Sequence, residues 1–82
     1  MSVHHAITEH SSRQAEYILL YRKLDAMREV RIEQAIQQCR AGKEINVTEI
    51  NNVTEQINQL AARHHLPPRR HVTVDMIREA SR

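Results

Sequence analysis

The 82 residues make at most one domain, of a size at which a monomeric core is marginal. With one Gly, two Pro and no Phe or Trp, the chain lacks the turn residues of an all-β fold, and its core has to come from Ile, Val, Leu, Met and Ala on helices. Twelve Lys and Arg against ten Asp and Glu leave a formal charge of +2, too little by itself to make a phosphate-binding face, and the single Cys39 excludes an internal disulfide.

From Ser2 to Ala41 no Gly or Pro interrupts the chain, and the spacing predicts a first helix over about 3–41. Ser2 is one candidate cap; Ser11, with Gln14 three residues on, is another, and the sequence leaves open whether the helix breaks there. Val3, Ile7, Tyr17, Ile18, Tyr21, Leu24, Ile32, Ala35, Ile36 and Cys39 fall on one stripe. Leu19, Leu20, Met27 and Val30 lie off it and widen the apolar surface, which packing on one neighbour does not require. Gly42 stands where a left-handed terminating residue belongs.

A second helix is expected over about 47–64. Asn46 is its expected cap, Glu49 the residue reaching back, and Ile45 and Ile50 the hydrophobic staple. Its apolar face is Val47, Ile50, Val53, Ile57, Leu60 and Ala61, and Leu66-Pro67-Pro68 is expected to stop it. After an extended connector, Thr73 is expected to cap a short third helix over about 74–81, docked through Val74, Ile77 and Ala80. The fold expected is therefore an all-α single domain: a helical hairpin of a long and a shorter antiparallel helix, and a short C-terminal helix after a Pro-Pro connector.

At about 1.5 Å per residue the first helix spans roughly 58 Å and the second roughly 27 Å. The second covers only half of the first, and the remainder strands apolar surface. A homodimer through Val3, Ile7, Tyr17, Ile18, Leu19, Leu20 and Met27 is the expected remedy, with another protein as the other possible partner.

Ser2-Val3-His4, Cys39-Arg40-Ala41-Gly42, Val47 through Thr54 and Val72 through Arg78 together resemble a YpbS-like family of small proteins from Bacillus-type bacteria. The resemblance covers nearly the whole chain. It implies a bacterial cytosolic protein and brings no activity, ligand or site.

Three constellations bear on chemistry. The six histidines lack the same-face pair that chelates a metal from one helix: His4, His5 and His10 are badly spaced, His64 and His65 point apart, and His71 lies beyond the prolines. No metal or other cofactor is expected. Arg28 is the centre of a conceivable anion pocket between long helices, weighed against simple pairing with Asp25 one turn away. Arg63, Arg69, Arg70 and His71 form a basic patch around the prolines that suits phosphates or an acidic surface. A helix-turn-helix does not fit that connector, and no aromatic is interleaved for base stacking, so nucleic acid is the lesser reading. Met1 to His10 has neither the basic lead nor the apolar run of a signal peptide, and no window approaches the roughly 18 apolar residues of a membrane span. The function expected is non-enzymatic: a cytoplasmic, self-associating helical interaction module. A weak nucleic-acid binder and an enzyme with an anion pocket are its alternatives.

Overall fold

The computed structural model describes the backbone of residues 3–82 and the side chains of residues 13–82. The chain is all-α: α1 runs over Val3–Arg40, α2 over Thr48–His64 and α3 over Val74–Ala80, with no strand among the described residues. Helix α1 is continuous through Ser11. The molecule is a rod with extents of 61 × 18 × 17 Å.

Three different local devices end and begin the helices. Gly42 takes φ 75°, and Lys43 N–H donates to Gln38 O at 2.9 Å, so a left-handed residue turns the chain and satisfies a terminal carbonyl. Thr73 caps α3, its hydroxyl accepting from Met76 N–H at 3.2 Å. At the start of α2 the expected capping box does not form. Val47 holds the cap position with no side-chain cap bond, and Asn46 Oδ1 accepts from Thr48 N–H at 2.8 Å. Glu49 turns across the hairpin to Arg31 at 2.9 Å, because a guanidinium is a stronger partner for a carboxylate than a neutral amide.

The end of α2 also differs in cause from the expectation. His65 adopts φ 55°, ψ 40° and closes the helix, with Leu66 N–H donating to Ala61 O at 3.0 Å. The chain has thus already left the helix when it reaches the prolines, which keep it extended.

Two apolar clusters hold the three helices together. Near the hairpin turn, Ala35, Ile50, Val72 and Ile77 are buried, with Ile32, Ile36, Cys39, Ile45 and Val47 packed around them. Further along, Leu24, Val53 and Ile57 are buried beside Tyr21 and Leu60. Of the stripe expected on α1, Tyr17 and Ile18 fall outside this core and are exposed. Of the three expected contacts of α3, Ile77 is buried, Val74 half-buried and Ala80 exposed.

The far end of α2 marks the limit of the packed region. There the His64 ring stacks on Tyr17, centroids 3.6 Å apart, while every residue from Arg13 to Leu20 is exposed. Helix α1 projects beyond that point to Val3.

Candidate functional site

Between the two apolar clusters lies a polar layer. Arg28 on α1 is 9% exposed and Thr54 on α2 is fully enclosed. Arg28 Nε donates to Thr54 Oγ1 at 2.9 Å, Arg28 Nη2 donates to the carbonyl of Arg70 at 2.6 Å, and the Thr54 hydroxyl passes its own proton to Ile50 O at 3.0 Å. A charge brought into a helical interface is tolerable only when its donors find acceptors, and here they do. This replaces both sequence readings of Arg28. It does not pair with Asp25, and two edges of its guanidinium are committed to the fold rather than turned to an anion.

The acceptor from Arg70 belongs to a larger arrangement. The connector from Leu66 to Thr73 is extended and has no neighbouring strand to satisfy its backbone, so side chains do so. Asn58 receives the Arg69 N–H on its carbonyl oxygen at 2.7 Å and donates from its amide to Arg69 O at 2.9 Å. Two turns earlier, Asn51 makes the same two-point clamp on Val72, at 2.8 and 2.9 Å. Tyr21 Oη donates to Pro67 O at 2.6 Å. The sequence reading missed Asn51 and Asn58. The signal for them is their seven-residue spacing on one flank of α2, opposite a connector whose amides need partners.

The basic patch does not form one cationic face. Arg69 reaches back to α1 and holds both oxygens of Asp25, at 2.9 and 3.2 Å, with its guanidinium over the Tyr21 ring at 5.4 Å. The Arg69 hydrogen bonds keep the Asp25 carboxyl below the ordinary carboxylate range against the opposing effect of burial, and the charges of Arg69 and then Arg28 add to them. The Arg69 pKa is raised in turn, chiefly by the same bonds. His71 is paired with Glu55 on α2. Arg63 and Arg70 are exposed.

Histidine and cysteine chemistry finds no centre: among the described residues no group of three His, Cys, Asp or Glu is placed to hold a metal. His4, His5 and His10 lie outside the residues whose side chains are described. Cys39 is half-buried in the first apolar cluster, as a small hydrophobe would be.

The interface candidates divide between two faces of α1. Tyr17 and Ile18 carry on the core-facing stripe past the end of α2, at the mouth of an open groove of about 590 Å³ shared with Arg63, His64 and Leu66. Leu19, Leu20, Met27 and Val30 lie outside both apolar clusters, and Leu20 borders a groove with Gln56, Leu60 and Arg63 of α2. The four are 63%, 45%, 37% and 58% exposed respectively. Val3 and Ile7 lie outside the described side chains. A shallow depression of about 460 Å³ is lined by Lys23, Ala26, Met27, Val30, Arg31 and Gln34 of α1.

No described helix is long and apolar enough to cross a membrane. The family described as "Protein of unknown function (DUF2533)" matches residues 1–82. A protein of Bacillus subtilis (strain 168), "Uncharacterized protein YpbS", is 46% identical over 77 residues, covering 94% of this chain and 91% of its own. No solved structure matches the chain.

Proposed function

We propose a role from geometry alone, because this chain belongs to the DUF2533 family of proteins of unknown function, which brings with it no substrate, activity or site. The chain acts as a non-enzymatic helical interaction module that associates with a second copy of itself through α1. One observation carries the reading: a helix of 38 residues is packed by one of 17, and six large apolar side chains among the described residues stand exposed along it. Scattered exposed leucines are ordinary on a monomer. A contiguous apolar face on a helix already packed on its other side is the mark of an interaction surface, and an 82-residue chain gains from association the core that its size withholds.

Two features support a non-catalytic role. The buried guanidinium has its acceptors within the fold, and the Asp25 carboxyl is held in an ion pair. A cytoplasmic setting goes with this reading, since the lone half-buried thiol suits a reducing compartment.

Sedimentation velocity at micromolar concentration tests the proposal. The expected species has twice the 9.6 kDa chain mass. A fully helical species at the chain mass would overturn it.

A further inference from the structure

We propose that residues 66–82, the connector and α3, form a strap that opens from the hairpin as one unit. Helices α1 and α2 stay packed, and an apolar floor hidden in the closed chain is uncovered. The inference is independent of self-association and starts from where the core lies. Leu24, Val53 and Ile57, with Tyr21 and Leu60 beside them, all belong to α1 and α2. That cluster takes nothing from the strap. Near the hairpin turn the strap supplies two of four buried residues, Val72 and Ile77, against Ala35 and Ile50.

Much of the remaining attachment is polar. Asn51 and Asn58 clamp Val72 and Arg69, Arg28 holds the Arg70 carbonyl, and Tyr21 holds that of Pro67. Arg69 and His71 pair with Asp25 and Glu55. Water replaces such contacts at small net cost, and pairs open to solvent are screened. Opening also lets water reach the Arg28 guanidinium, 9% exposed in the closed chain, and hydration of a buried charge offsets part of what is lost. Segments held mainly by hydrogen bonds, with few apolar anchors, open before the rest of a fold.

The hinge is built in. Leu66 N–H donates to Ala61 O at 3.0 Å and His65 is left-handed, so α2 is already closed where the strap begins. Pro67 and Pro68 keep the residues that follow extended, and the strap swings about Leu66 without unwinding α2. Its parts depend on one another. Helix α3 has seven residues, with Ile77 buried, and a helix so short does not persist undocked. The two asparagine clamps and Arg28 grip one extended segment, so losing one grip misaligns the others. The floor uncovered is Ala35 and Ile50 with Ile32 and Ile36 beside them, and the strap is its lid.

Amide hydrogen exchange of the full chain, followed by NMR, tests this. The N–H groups of Arg69, Val72 and Ile77 are expected to share one opening constant, about a hundredfold greater than that of Ile57 in α2. Asn58→Ala removes the clamp on Arg69. It is expected to raise the opening constants of Val72 and Ile77 equally, by about tenfold, and to leave that of Ile57 unchanged. Equal protection of Ile77 and Ile57 would overturn the proposal, because the chain would then open only as a whole. Unrelated constants at Arg69, Val72 and Ile77 would overturn it too, as piecemeal fraying. So would an Asn58→Ala effect confined to the neighbourhood of Arg69, or one that reaches Ile57.

Discussion

Arg28 shows how a side chain of unfavourable character is made tolerable by its neighbours. It interrupts the apolar stripe of α1, yet it joins three segments: its own helix, α2 through Thr54, and the connector through the carbonyl of Arg70. Truncation would leave that carbonyl without its charged donor and open a cavity between the two apolar clusters. Arg28→Ala is therefore expected to cost about 2–4 kcal/mol in urea denaturation, a large share of the stability of a small domain. Arg69 and Asp25 are a different case, because both side chains are about one-third exposed and the pair is screened. Its signature is dependence on pH. The Asp25 carboxyl titrates lower in the folded chain than in the unfolded one. The stabilisation is complete above the unfolded value, near pH 4, and is lost as pH falls through the folded value. Asp25→Asn should accordingly lower the denaturation midpoint at pH 7 and flatten its decline below about pH 4. An unchanged acid limb would show that the ion pair does not contribute.

At the scale of elements, the turns show which boundaries follow from local chemistry. Gly42 and His65 both take left-handed backbone conformations, but only the first is a residue suited to it. Two opposite substitutions follow. Gly42→Ala is expected to cost about 1 kcal/mol and His65→Gly to gain up to about 1 kcal/mol, both read from urea midpoints. No atom lies within 4 Å of the position an added Cβ would take at Gly42, so the cost there is conformational and not a clash. Gly42 and Thr73 were legible in the sequence because their roles depend only on their own backbone and the next few amides. The apolar face of α2 was legible for a similar reason, as periodicity alone selects Ile50, Val53, Ile57 and Ala61. Glu49 was not, because its partner Arg31 lies on another helix and outbids the local amide. Nor were Asn51 and Asn58, whose role exists only once the connector is laid across α2. The polar layer is half legible: helical spacing sets Thr54 among Ile50, Val53 and Ile57 in an otherwise aliphatic face, but the carbonyl of Arg70 that completes the layer is brought there by tertiary folding. Of the candidate site, periodicity located the exposed apolar residues, while their division between two faces required the position of α2.

For the molecule as a whole, α1 is long for its support. Helix formation without tertiary packing is weak in water, since nucleation is costly and propagation only marginally favourable. The segment beyond His64 has Tyr17 stacked against the end of α2 and otherwise exposed side chains from Arg13 to Leu20. If pairing with a second copy stabilises the rod, folding and association are linked, and stability has to depend on concentration. A hundredfold rise in protein concentration adds about 2.7 kcal/mol to the folded dimer. Spread over the unfolding entropy of two such chains, that moves Tm upward by about 5–10 °C. Circular dichroism at 222 nm measures both consequences: the Tm shift, and a fall in helicity on dilution as the projecting end of α1 loses its support. Leu20→Glu, which sets a carboxylate among the exposed apolar residues of α1, should abolish the concentration dependence while leaving the hairpin folded, because Leu20 lies outside both buried clusters. A Tm independent of concentration in the unsubstituted chain would mean that the exposed apolar residues of α1 stay in water at these concentrations. The long helix would then have to be supported by a protein other than its own copy.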